Sequence, residues 1–334
     1  MKKRAQVQMQ FNWIFVSIAG AVILSIFVGI AIRMNQNSKE QLAYDAINYF
    51  DEIFTSVQAS ENTENEISLP GLDLEIDTDG QACNYYSIAG TDKSEMSIEF
   101  TPFFSPHIIK TRILSYALGW DMPFRVNYFI YMTSPRIAYV SVGDNSIKEE
   151  LPEHLTLIEE SEASNFKNEN YDQIRFFTTQ DPESFALDDS IKKSKDVSAI
   201  KITESSHSLT FYEYDSGSFS PIGTTYYVDD VTLIAAIYSQ SLDSYECNMV
   251  KAIKRLNKFS TMLKERANII KNSDLLSLCS SNAYEQAETL LGEMEQASSS
   301  NKIDSNTIST LVSTKTELET INKELNKKSC PTIY

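Results

Sequence analysis

The first pattern along the chain is a run without charge. From Phe11 to Ile32, FNWIFVSIAGAVILSIFVGIAI, no side chain is ionisable at neutral pH. At 1.5 Å per residue the run reaches about 33 Å, enough to cross a hydrocarbon core of roughly 30 Å. It predicts a transmembrane helix over 11–33. A cleaved secretory peptide would have a shorter apolar region and a small-x-small site, and Ile30-Ala31-Ile32-Arg33-Met34 supplies none. Lys2, Lys3 and Arg4 precede the run, and only Arg33 and Lys39 follow closely. The positive-inside tendency therefore places a basic segment, 1–10, in the cytoplasm and the rest of the chain outside.

Past this run, Gln41 to Val57 keeps helical spacing, with Leu42, Ile47, Phe50, Phe54 and Val57 on one side. An amphipathic stalk over 34–58 is expected, ended by the polar linker ASENTENE, 59–66. The period then becomes two. Leu72, Leu74 and Ile76 alternate with acids, Asp79-Gly80 offers a hairpin turn, and Ala82–Ile88 follows. Met96, Ile98 and Phe100 alternate again. Phe124 to Met132 carries large residues on both faces and predicts a strand covered on both sides. Ile137–Val142 is a further apolar strand.

Beyond it, Ser146 to Glu149 has the spacing of a capping box on a short helix. Leu155–Ile158, Tyr171–Thr178 and Val197–Thr203 are strand-like, and Asp181-Pro182 predicts a helix start leading to Lys195. Leu209–Tyr214 and Thr224–Tyr238 add strands. This strand–helix alternation makes 67–240 a mixed α/β or α+β region. The last third, 243–328, is helical. Met249, Ile253, Leu256, Ser260, Leu263, Ala267 and Ile270 form one seam. Asn272 or Ser273 can cap a second helix through Met294, and Ile308, Leu311, Leu318, Ile321 and Leu325 form a third stripe. The expected whole is a mixed α/β or α+β ectodomain on a single N-terminal transmembrane helix, with a C-terminal helical hairpin or three-helix segment.

Composition narrows the function classes. The 334 residues include 42% hydrophobic and 11% aromatic side chains, ample for a packed core. The formal net charge of -17 repels phosphate backbones, so no nucleic-acid partner is expected. All four cysteines, Cys83, Cys247, Cys279 and Cys330, follow the apolar run, in the compartment predicted to be oxidising. None forms a CxxC pair, which leaves two disulfides with three possible connectivities. In an up-down-up bundle the start of the second helix and the end of the third share an end. That arrangement favours Cys279–Cys330 and leaves Cys83–Cys247.

The residues Lys3-Arg4-Ala5-Gln6-Val7-Gln8-Met9-Gln10-Phe11, running straight into the apolar helix, resemble the class III signal peptides of archaeal type IV pilin-like proteins. That resemblance implies cleavage by a prepilin peptidase between Ala5 and Gln6. Two positions depart from the family pattern. Gln8 stands where Ser is common, and Gln10 replaces the Glu whose ion pair serves filament assembly. The chain is also similar in style to uncharacterised archaeal single-pass surface proteins, a likeness that implies no activity.

Candidate chemistry is sparse. Glu75, Asp77 and Asp79, followed by Gly80, resemble the acidic half of a calcium loop and are the candidate metal ligands, although Tyr86 stands where such a loop places a bidentate Glu. His107, His154 and His207 are isolated in sequence. Ser190 and Lys193 match S-x-x-K without its companion motifs. No GxG occurs, so neither a dinucleotide fingerprint nor a P-loop is present, and no cofactor or catalytic residue is expected. Lys251, Lys254, Arg255, Lys258, Lys264, Arg266 and Lys271 crowd one helix beside a single acid, Glu265. Such a face serves docking within the molecule, solvation, or contact with an anionic surface polymer or another copy. The sequence thus predicts a non-enzymatic, membrane-anchored surface protein for assembly or adhesion, in contact with lipid and with itself or another surface protein. The alternative is an extracytoplasmic ligand-binding or sensor module.

Overall fold

A computed structural model describes residues 17–18, 20–30, 32–35, 41, 45, 64–79, 82–88, 101–143, 146–153, 155–168, 170–191, 196–273, 279, 281–300 and 302–334, with backbone alone at 69–72, 77–79 and 82–88. Two compact units are distinguished, Met1–Asp51 with Gly90–Lys93, and Glu52–Ala89 with Ser94–Tyr334.

In the first unit, residues 17–18, 20–30 and 32–35 are helical, as are 41 and 45. Their side chains are exposed, including Leu24, Phe27 and Met34. Among the described residues no helix is long and apolar enough to cross a membrane. The expected span from Phe11 to Ile32 extends over residues outside the described ones, as do the basic segment, the Ala5–Gln6 cleavage position and most of the stalk.

The second unit holds two sheets. The first has strands β1 (Glu64–Asp79), β2 (Ala82–Ile88), β3 (Phe103–Phe104), β4 (Ile108–Asp121) and β5 (Arg125–Thr133), in the order β2-β1-β4-β5-β3. The predicted hairpin forms, with Asp79 paired to Ala82 and Ile76 to Tyr86. All of β5 but Arg125 and Tyr128 is buried, as its two-sided apolar pattern predicts. Sequence periodicity missed β4, the strand between β1 and β5. Its alternation is interrupted where Thr111 adopts a positive φ of 65° and where the register slips between Trp120 and Asp121. Met96–Phe100 lies outside the described residues.

The second sheet comprises β6 (Ile137–Val142), β7 (Leu157–Glu160), β8 (Gln173–Thr178), β9 (Asp196–Thr203), β10 (Ser208–Asp215) and β11 (Ser218–Tyr226), ordered β11-β10-β9-β8-β6-β7. Strands β7, β6, β8 and β9 run parallel, and β9 to β11 are antiparallel. Every residue of β6 is buried, the signature of a strand covered on both faces. One face carries Tyr139, Phe177, Ile200 and Phe211 into the main core. The other, with Val140, Phe176 and Phe219, is covered by Phe166, Ile191 and neighbouring irregular segments.

Two expectations on this sheet need correction. Of the helix expected from Asp181 to Lys195, a 3-10 turn, Pro182–Ser184, is formed and capped by Asp181, Phe185 to Ser190 is not helical, and 192–195 lie outside the described residues. Past it the Asp188 carboxylate accepts from the Ser190 amide at 2.8 Å, a local turn that competes with helix. Thr224–Tyr238 is not strand throughout. It ends β11 and then forms helix α1 (Asp230–Tyr238). Every α1 residue from Thr232 to Tyr238 is buried, so the run is apolar on all sides and carries no helical period. Asp229 and Thr232 close a reciprocal capping box at its start, a sequence signal that was available.

Helix α1 lies between the sheets. The Tyr131 hydroxyl of β5 donates to Val231 O at 2.9 Å, and the Tyr238 ring lies 5.2 Å from Tyr131 and 5.5 Å from Tyr139 of β6. Then come α2 (Leu242–Lys271), α3 (Ser281–Ala297) and α4 (Ser305–Lys327). The predicted seam of α2 is buried at Met249, Ile253, Leu256, Ser260, Leu263 and Ala267. Asn272 ends α2 as its C-cap instead of opening α3. These helices share one core with both sheets, reaching from Phe104 and Trp120 to Leu291 and Leu318.

Candidate functional site

Cys279 and Cys330 form a disulfide with their Cα atoms 5.9 Å apart, as the bundle order predicts. Cys247 is also disulfide-bonded. The Cys83 side chain lies outside those described, while its strand β2 runs against α2.

The acid-rich segment through Asp79 is strand, and Gly80, where a calcium loop would turn, lies outside the described residues. Glu75 and Asp77 sit in extended β1, paired with Ser87 and Tyr85. Alternate strand residues stand roughly 7 Å apart along the chain. The side chains of Asp77 and Asp79 lie outside those described. No group of three or more His, Cys, Asp or Glu suited to a metal occurs among the described residues.

The two described histidines make contacts within the fold. His107 Nδ1 lies 2.6 Å from Ile76 O, and its amide donates to Gln240 Oε1 at 3.3 Å. His207 ends a 3-10 turn at a positive φ of 49°, its ring 5.2 Å from that of Tyr227. His154 and Lys193 are outside the described residues. Ser190 Oγ accepts from the Asn168 amide at 3.0 Å.

Arg175, which sequence reasoning passed over, is the buried cation of the molecule's centre. It donates to Ser198 Oγ at 3.0 Å, to Gln240 O at 3.1 Å and to Ala236 O at 3.2 Å. It therefore ties β8 and β9 to the C-terminal turn of α1, where the Ala236 carbonyl also accepts from the Ser239 amide at 3.1 Å and the cation meets the negative end of the helix dipole. Burial pulls its pKa down to about 10. The available signal was a single cation flanked by apolar residues in the strand QIRFFT.

An open groove of about 570 Å³ lies between Ser205–His207 and α4. The hydroxyls of Ser309, Ser313 and Thr316 along it donate back to Asn306 O, Thr310 O and Val312 O. Its polar groups do not converge on a ligand position. Searches of family models, curated proteins and solved structures find no match to the chain.

The basic helix is the feature that the structure sorts most clearly. Lys264 pairs with Glu295 at 2.7 Å and Lys271 pairs with Glu288, both acids on α3. The Lys264 ammonium in turn holds the Glu295 carboxyl below its ordinary range, helped by Thr261. Arg255 reaches Asn127 Oδ1 at 3.3 Å and lies over the Phe259 ring, and Arg266 donates to Thr332 O at 3.3 Å. Lys254 and Lys258 are exposed. So part of the basic run docks within the molecule, and part faces outward.

Proposed function

We propose that the chain is a membrane-anchored extracytoplasmic protein with a structural, assembly or adhesion role at the cell surface, acting without catalysis. One observation carries the reading. The N-terminal helical stretch exposes large apolar side chains all round, with Ile18, Leu24 and Phe27 at 59%, 67% and 67% exposure. A helix apolar on every side is stabilised by lipid or by a surrounding protein, not by water. The basic residues ahead of it orient it, and the disulfide at Cys279 suits an oxidising compartment on the far side. Within this reading, Arg4-Ala5-Gln6 is a processing site for a prepilin-type peptidase.

Protease treatment of intact cells carrying a tag at each end tests the arrangement. The sheet-and-helix unit should be digested from outside while the N-terminal tag stays protected. A protected C-terminal unit overturns the proposal. The mass of the purified mature chain reports cleavage after Ala5, and an uncut N-terminus removes the pilin-type version while leaving the anchor.

A further inference from the structure

The outward face of α2 carries an exposed stripe of cations and apolar side chains. Lys254, Lys258, Met262, Arg266 and Ile269 follow one another at steps of three or four, so they line one side of the helix, with Arg255 beside them. Over that stretch the helix rises about 22 Å. All are exposed, and Met262 and Ile269 reach 55% and 70%. Four cations therefore stand with one acid, Glu265, on a chain whose net charge is -17.

We propose that this face binds an acidic polysaccharide, an inference that rests on the extracytoplasmic placement proposed above. Charge complementarity sets the sign. At physiological salt the Debye length is about 8 Å, so a ligand on the stripe feels these cations more than the acids elsewhere. The same argument disfavours a second copy meeting this face with its own, because cations would oppose cations. A lipid surface needs a broader apolar face than two side chains offer. Nucleic acid needs aromatic platforms for its bases, and the ring nearest the stripe, Phe259, lies half-buried beneath the Arg255 guanidinium. Sugar rings need less. Met262 and Ile269 can take their C–H faces while the cations meet carboxylates or sulfates. Arg255 and Arg266 are held by Asn127 and Thr332, so part of the array is ordered before a ligand arrives.

The test is titration of the full chain in detergent micelles with alginate, dextran sulfate and neutral dextran. Both acidic polymers should bind and dextran should not, with affinity falling as salt is raised. Lys254→Glu with Lys258→Glu, both exposed and free to fold, should weaken binding about tenfold or more. Met262→Ser with Ile269→Ser should weaken it less while leaving its salt dependence intact. Absence of binding to either acidic polymer overturns the inference, as does unchanged binding by the double charge reversal, or capture by anionic vesicles alone. Polymer binding that fails while the domain is digested from outside removes only this inference. Binding that holds while the domain proves to be inside removes the cellular reading instead.

Discussion

Two aspartates do the same local work at Asp229 and Asp304, and their surroundings push them in opposite directions. Each caps a helix: Asp229 accepts from the Thr232 amide at 3.2 Å, and Asp304 from the Thr307 amide at 2.8 Å. Asp304 is exposed, so those bonds dominate and hold its pKa below 3.8. Its folded form gives up the proton more readily than the unfolded chain. The resulting stability is present above the ordinary value and is lost as pH falls through the folded one. Asp304→Ala should cost about 1 kcal/mol at neutral pH, read from urea denaturation. At Asp229 burial outweighs the Lys315 ammonium 3.2 Å away, and the pKa is raised. Here the folded state keeps its proton to higher pH than the unfolded chain, so stability falls as pH rises through the folded value. Asp229→Asn keeps the cap and removes the titration. The difference in urea midpoint between variant and wild type should therefore change with pH above 3.8, and parallel profiles would contradict this account.

At the scale of elements, α1 is where burial and hydrogen bonding can be separated. The Tyr131 hydroxyl is bonded to Val231 O, whereas the buried Tyr238 hydroxyl has no protein partner. Tyr131→Phe should destabilise by about 1 kcal/mol, because it removes a buried hydrogen bond between β5 and α1. Tyr238→Phe should be neutral or stabilising, since it deletes an orphaned polar atom and keeps the ring. Thermal unfolding of the two variants side by side decides the matter. The same helix shows what a sequence conceals. Elements with one buried face announce themselves by period, as the α2 seam and the hairpin of β1 and β2 do. Elements buried all round do not, and α1 was read as strand for that reason, with only Asp229 and Thr232 to correct it. Strand β4 was hidden differently, by backbone irregularities at Thr111 and Trp120 that break its alternation. Of the candidate chemistry, the crowding of cations on α2 was legible. Its division into paired and outward residues was not, because that depends on where α3 places Glu288 and Glu295.

Over the whole molecule, the Cys279–Cys330 bond closes a separation of 51 residues around α3 and α4. Chain entropy gives such a loop about 4 kcal/mol of stabilisation. Cys330→Ser should lower unfolding stability by about 2–4 kcal/mol, measured by denaturant titration, and the loss should match that produced by a reductant acting on this bond alone. The position of α1 has a consequence in time. Its partners on β5 lie 100 residues earlier in the chain, as the Tyr131–Val231 bond shows. At synthesis rates of roughly 5–20 residues per second, the first sheet waits about 5–20 s for the helix that packs on Tyr131. During that interval the Tyr131 ring lacks the Tyr238 ring and the Val231 carbonyl that it meets in the folded chain. The period of greatest risk for aggregation is therefore set by where α1 falls in the gene, before any property of the finished fold can act.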